Sequence, residues 1–156
     1  MVGWRECGFE MDPRPILLVE DNPDDVELTL LALTKNKIPN EVVVAHDGNE
    51  ALDLLFGRAS YKGDGEFRPS VVFLDLKLPK VDGFEVLKEI RGHRMTKLIP
   101  VVILTSSMDS SDLQKGYTLG ANSYIRKPID YQQFLKTVQM LGAYWLSLNE
   151  STAMSL

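Results

Sequence analysis

Four short apolar runs, each closing on a polar or charged tip, constrain this chain more than any other feature. Ile16-Leu17-Leu18-Val19 ends in Glu20-Asp21, Val71-Val72-Phe73-Leu74 in Asp75, Val101-Val102-Ile103-Leu104 in Thr105-Ser106-Ser107, and Ser123-Tyr124-Ile125-Arg126 in Lys127-Pro128. Runs of this kind are strands covered on both faces, as in parallel α/β sheets. Between them lie helical patterns: Val26, Leu30, Leu31, Leu33; Ala51, Leu52, Leu54, Leu55; Phe84, Val86, Leu87, Ile90; Leu113, Tyr117, Leu119; and Phe134, Leu135, Val138, Leu141. Five strand–helix units predict a doubly wound parallel sheet with helices on both faces and right-handed crossovers. Such sheets keep their chemistry at the carboxyl ends of the strands. The tips then form one site, with carboxylates to hold a cation, a carboxylate to react, and a hydroxyl and an ammonium to hold an anion.

Size and charge narrow the classes. A chain of 156 residues has room for one domain burying about two-thirds of its unfolded surface, and a separate output domain is not expected. A net charge of −5 without a Lys/Arg cluster argues against nucleic acid as a partner. The single cysteine, Cys7, has no internal disulfide partner and reads as an ordinary free thiol. No apolar stretch approaches the ~20 residues that span a bilayer, and residues 1–14 lack the pattern of a signal peptide, so a cytoplasmic protein is expected.

Residues 1–14, with Trp4, Cys7, Phe9 and Met11 out of any period and Pro13 near their end, read as an N-terminal extension. A domain over 15–149 and a tail over 150–156 follow. One connection, Gly57 to Pro69, is too long for the pattern and turns at Gly63-Asp64-Gly65. It reads as a solvated insertion, with a partner-recognition loop as the alternative. His46 and His93 are isolated and lack metal-ligand spacing.

Glu20-Asp21, Asp75 with Pro79 and Asp82-Gly83 behind it, Thr105, Gly120-Ala121, Tyr124 and Lys127-Pro128 stand in an order and spacing that resembles the response-regulator receiver domain of two-component signalling. The resemblance covers about residues 15 to 148. The separation of 30 residues from Asp75 to Thr105 and of 22 from Thr105 to Lys127 both fit, while the 54 from Asp21 to Asp75 is longer than usual because of the loop before Pro69. It implies a flavodoxin-like (CheY-like) fold, five parallel strands in the order 2-1-3-4-5 flanked by five helices.

The resemblance also implies a mechanism. Asp75 would take a phosphoryl group from a phosphohistidine of a sensor kinase, which makes the chain a phosphoacceptor rather than an enzyme acting on a separate substrate. Apposed carboxylates stay ionised only if a cation offsets them, and Mg²⁺ suits an oxygen site that also receives a phosphoryl group. Asp21 and Asp75 are the expected direct ligands, with the Lys77 carbonyl as backbone ligand and Glu20 acting through water. Lys127 and the Thr105 hydroxyl would each meet a phosphoryl oxygen. The Lys127–Pro128 peptide is expected to be cis, since X-Pro bonds pay little for that form. Thr105 would draw in on phosphorylation, the loop at Ser106-Ser107 would shift, and Tyr124 would turn inward. Lys77 and Ser107 occupy positions that govern water access in the family.

Partners follow in part from the last helix. Tyr144-Trp145-Leu146-Ser147-Leu148 puts large apolar groups on several faces, beyond what one core stripe requires. A homodimer through this helix and its neighbouring strand is expected, and extra core contact with the N-terminal extension is the alternative. The same ending and the long loop resemble the single-domain regulators that pair with phytochrome-type kinases.

Three rival readings remain. A phosphorylation-independent interaction module is weakened by the full set of site residues. An aspartate-nucleophile phosphatase wants a second acid two residues after the nucleophile, where this chain has Lys77. A flavin binder would need a phosphate loop where Glu20-Asp21-Asn22-Pro23-Asp24-Asp25 stands.

Overall fold

A computed structural model describes residues 12–35, 38–58 and 67–152. Trp4, Cys7 and Phe9 of the N-terminal extension, the Gly63-Asp64-Gly65 turn of the long loop and residues 153–156 lie outside the described residues. The elements are β1 (Ile16–Val19), α1 (Pro23–Lys35), β2 (Val42–Ala45), α2 (Gly48–Leu55), β3 (Val71–Leu74), α3 (Gly83–Gly92), β4 (Val101–Thr105), α4 (Ser110–Thr118), β5 (Ser123–Arg126) and α5 (Tyr131–Ala143), then a π-helical turn over Tyr144–Leu148. All strands pair in parallel, in the order β2-β1-β3-β4-β5. The expected doubly wound sheet of five strands is therefore the observed one.

The two-sided burial that makes β1, β3 and β4 uniformly apolar is visible in how their residues divide. Leu17, Val19, Val72, Leu74, Val101 and Ile103 face α2 and α3, packing with Ala51, Leu52, Val86, Leu87 and Ile90. Ile16, Leu18, Val71, Phe73 and Val102 face α1 and α5, packing with Ala32, Leu33, Phe134, Val138 and Leu141. Strand side chains alternate between faces, so each run feeds both cores at once.

Each crossover delivers its strand tip into a capped helix. Asn22 Oδ1 accepts the N–H groups of Asp24 and Asp25, and Asp47, Asp82, Asp109 and Asp130 accept from Glu50, Glu85, Ser111 and Gln133. These side chains satisfy helix N–H groups that have no partner within the helix.

Two helical stripes differ from the sequence expectation. In α1 the buried residues are Thr29, Ala32 and Leu33, whereas Leu31 is exposed. In α4 only Gly116 is buried and Tyr117 is half exposed, because Gly116 lies against Ile103 and Tyr124 and brings the backbone itself onto the sheet.

The π-helical turn decides the fate of the apolar C-terminal cluster. It tucks Trp145 and Leu146 into the core and leaves Tyr144 and Leu148 exposed, next to the exposed Met140 of α5. The Asp12 N–H donates to the Leu146 carbonyl at 2.7 Å, and Arg14 Nη2 donates to Ser151 Oγ at 2.7 Å, so residues 12–14 lie along this turn. No helix among the described residues is long and apolar enough to cross a membrane.

Candidate functional site

The tips of β1, β3, β4 and β5 converge. Glu20 and Asp75 are 3 % and 8 % exposed and follow directly from buried strands, while Asp21 is exposed at the rim. Carboxylate oxygens of Glu20, Asp21 and Asp75 lie within 4.8 Å of one another, a donor set of the size and hardness that a divalent cation takes. Asn22, rather than Glu20, caps α1. Glu20 Oε2 instead accepts the Asn22 N–H at 3.2 Å, and its other oxygen faces the site.

Lys127 closes the cluster. Its Nζ donates to Glu20 Oε1, to Asp25 Oδ2 at 2.8 Å and to Asp75 Oδ2 at 3.0 Å, and the side chain is only 8 % exposed. Burial pushes the Glu20 carboxyl up to about 7, opposed by its hydrogen bond to Lys127 and reinforced by the charge of Asp75. Burial alone would lower the Lys127 pKa, but its hydrogen bonds to Asp25 and Glu20 and the charges of Asp75 and Glu20 outweigh that and raise it. One ammonium thus serves a site with four carboxylates, and a second cation among Glu20, Asp21 and Asp75 would relieve the remaining repulsion.

The backbone around Asp75 is held by a close approach. Gly83 opens α3 with its N–H on the Leu76 carbonyl at 2.9 Å, and a Cβ there would lie 2.3 Å from the Asp75 carbonyl oxygen. Glycine at 83 thus lets the chain fold back under Asp75. Within the intervening loop Lys80 adopts φ 65°, a left-handed conformation costly for a side chain with a Cβ. The Lys77 N–H approaches Asp75 Oδ1 at 3.4 Å, and the Lys77 side chain is exposed.

On β4, Thr105 is fully buried, and its Oγ1 accepts the Ser107 N–H at 3.3 Å. Ser107 is 5 % exposed and donates its hydroxyl to Asp112 Oδ2 at 2.6 Å, whereas Ser106 is exposed. The Tyr124 ring rests beside Gly116 and 6.5 Å from that of Tyr117. Its hydroxyl is buried beside Ser107 without a hydrogen bond of good geometry among the described residues, and burial raises its pKa, with the Ser107 side chain opposing that rise.

One expectation is corrected. The Lys127–Pro128 peptide is not cis, and there is no cis peptide bond among the described residues. The Lys127 N–H donates to the Thr105 carbonyl at 2.7 Å, so the β4–β5 ladder continues to residue 127, and the lysine's four-carbon stem then spans the distance to the acids.

The sequence reading missed Asp25. The signal was present: Asp25, Thr29 and Leu33 are spaced four apart on α1, and the latter two are buried, so Asp25 heads the inward face and meets the site from the first helical turn. The mistaken α1 stripe concealed it.

A parallel sheet in this order, with an acid cluster and a lysine at its carboxyl edge, defines a receiver. Residues 16–139 match the response regulator receiver domain family, and the chain belongs to it. It is the receiver domain of a two-component response regulator. Among its relatives is the response regulator Rcp1 of Synechocystis sp., 38% identical over 134 residues that cover 86% of this chain and 90% of that protein. The phosphorylated cyanobacterial phytochrome response regulator RcpA superposes with a TM-score of 0.83 at 38% identity, covering 90% of this chain and 99% of that one. The bacteriophytochrome response regulator AtBRR is 55% identical, with a TM-score of 0.68 and coverage of 89% and 99%. The Mn(2+)-bound form of Rcp1 gives a TM-score of 0.80 at 36% identity, covering 90% and 100%.

Proposed function

We propose that the protein accepts a phosphoryl group on Asp75 from the phosphohistidine of a sensor kinase and signals through the change of shape that follows. One observation carries this reading: a buried Asp75 carboxylate lies 3.0 Å from the Lys127 ammonium and shares a cation-sized cluster with Glu20 and Asp21. An Asp75 oxygen attacks phosphorus, the P–O bond forms as the P–N bond breaks, and the electron pair leaves on the imidazole nitrogen. In such a loose transfer, charge gathers on the equatorial oxygens, and positioning and neutralisation do most of the catalysis. Lys127 and the Thr105 hydroxyl supply contacts to those oxygens.

The donor set fits Mg²⁺, with Asp21 and Asp75 as direct ligands, the Lys77 carbonyl as backbone ligand and Glu20 acting through water. When bound, the ion would supply positive charge to offset these carboxylates and the charge that gathers during phosphoryl transfer. A relative in its Mn(2+)-bound form supports a divalent ion of this kind.

Thr105, drawn toward the phosphoryl group, would give up the Ser107 N–H, letting the Ser106-Ser107 loop shift and Tyr124 turn inward. The buried Tyr124 hydroxyl, with Ser107 as its near neighbour and no hydrogen bond of good geometry, supports such a move, because shifting the Ser106-Ser107 loop changes its polar surroundings. Lys77 and Ser107 flank the path of water to the acyl phosphate and set its lifetime.

The relatives named for phytochromes support a phytochrome-type histidine kinase as the donor. Met140, Tyr144 and Leu148, 65%, 48% and 47% exposed and four residues apart on one side of the last helix, support a homodimer through that helix and β5. The receiver spans 15–149 in a cytoplasmic protein, with 1–14 and 150–156 as extensions.

Intact mass after incubation with acetyl phosphate and Mg²⁺ tests the reading. One phosphoryl mass should be gained by the wild type only with the metal, and not by Asp75→Asn. An adduct that persists in Asp75→Asn overturns Asp75 as the acceptor.

A further inference from the structure

The Lys127 ammonium has three N–H donors and no acceptor, and three carboxylate oxygens engage it: Glu20 Oε1, Asp25 Oδ2 at 2.8 Å and Asp75 Oδ2 at 3.0 Å. With 8 % of its side chain exposed, the lysine has little access to water as a fourth partner. A phosphoryl oxygen can therefore reach the ammonium only if one carboxylate yields its place. The three acids differ in how easily they can do so. The Glu20 side chain is 3 % exposed, and stripped of the ammonium it would be left as a buried anion. Asp75 is the reacting group, and one of its oxygens stays beside the lysine after the other has bonded to phosphorus. The Asp25 side chain is 29 % exposed on the first turn of α1, so water can replace the lysine there at small cost.

Asp25 is also the most exposed of the three, so an anion arriving from solvent meets the ammonium on its side. We propose that Asp25 is a resident stand-in for the phosphoryl group, an anion that holds Lys127 in the resting protein and is exchanged for a phosphoryl oxygen when Asp75 is modified. This rests on Asp75 as the phosphoacceptor and adds a positioning residue to it. Asp25 thereby competes with the phosphoryl group and lowers the site's affinity for it.

Beryllofluoride, which mimics a phosphoryl group on a carboxylate, separates the possibilities when titrated calorimetrically into the full chain in Mg²⁺. Asp25→Asn should bind it about three- to tenfold more tightly than the wild type, the scale of one partly exposed ion pair released. Asp25→Glu, which keeps the charge, should stay within about twofold, and Asp25→Ser should follow Asp25→Asn. Affinity for Mg²⁺ alone should change less than about twofold in all three, because Asp25 holds the lysine rather than the cation. Unchanged or weaker beryllofluoride binding in Asp25→Asn, against a wild type that binds, overturns the exchange and leaves the phosphoacceptor reading standing. Tightening of beryllofluoride matched by an equal weakening of Mg²⁺ overturns it too, since that is the general effect of one less negative charge near the site. A wild type that takes up no beryllofluoride overturns both.

Discussion

Two part-buried cations sit at opposite ends of the sheet, and their partners could hardly differ more. Lys127, just beyond the carboxyl end of β5, is surrounded by carboxylates from α1 and the tips of β1 and β3. Arg91, at the other end, donates to the carbonyls of Gly120, Lys97 and Ile99 and to the Asn122 side-chain oxygen. Every acceptor of Arg91 among the described residues is neutral, and burial lowers its pKa. It ties α3 to the approaches of β4 and β5 through backbone carbonyls and an amide oxygen. Lys127 instead holds acids that a metal or a phosphoryl group can take over. The backbones differ in the same sense. Positive φ at the Arg91 end falls on Gly120 (φ 103°), whereas at the site end it falls on Lys80 (φ 65°). One end is built for rest, and the other carries charge that a ligand can offset and, nearby, a strained backbone at Lys80.

The comparison is broken most directly by exchanging the losses. Lys127→Ala should cut Asp75 phosphorylation by acetyl phosphate about 100-fold or more, the scale of removing one preorganised group from a charged transition state, as read by intact mass against time. Arg91→Ala should lower unfolding free energy by about 2–3 kcal/mol in a urea titration, because its carbonyl partners lose their donor, while labelling per folded molecule stays within about twofold. If Arg91→Ala abolishes labelling at unchanged stability, the division between the two ends is wrong.

Acidity sharpens the same contrast. Without divalent cation, the native Glu20 carboxyl titrates near 7, above its ordinary 4.5, so between those values the folded protein binds more protons than the unfolded one. Stability in chelator should therefore fall as pH rises from about 4.5 to 7 through Glu20, and Glu20→Gln should flatten that slope in thermal melts. A slope unchanged by Glu20→Gln would assign it elsewhere. The smallest expected effect is Lys80→Gly, a gain of up to about 1 kcal/mol as the left-handed strain is released, since the exposed ion pair it forfeits with Asp47 contributes little. A loss of stability would show that the ion pair outweighs the strain.

Much of this was legible in the chain. Continuous apolar runs require two-sided burial, which short strands find in a parallel sheet, and the polar residue ending each run is thereby placed at the carboxyl edge. The placement of Asp75, Glu20, Asp21 and Thr105 at that edge followed from the runs, whereas Lys127, after the half-buried edge strand β5, followed from its spacing to Thr105 and the family resemblance. The helices were less legible where small residues do the burying: Ala32 and Gly116 carry too little apolar weight to reveal an inward face, and so Asp25 was passed over.

The sequence by itself determined the fold class, the edge of the sheet that holds the site, and the chemical types gathered there, because periodicity and strand ends are local properties of the chain. Only the tertiary structure decided which acids share the lysine, that the Lys127–Pro128 bond is trans, that Ser107 leans on Asp112, and that Trp145 and Leu146 turn inward while Met140, Tyr144 and Leu148 stay out. The physical reason is the same in each case. A charge or an aromatic ring takes its partner from whatever packing brings within a few ångströms, and residues 25 and 127, or 12 and 146, become neighbours only once the sheet has closed around its two cores.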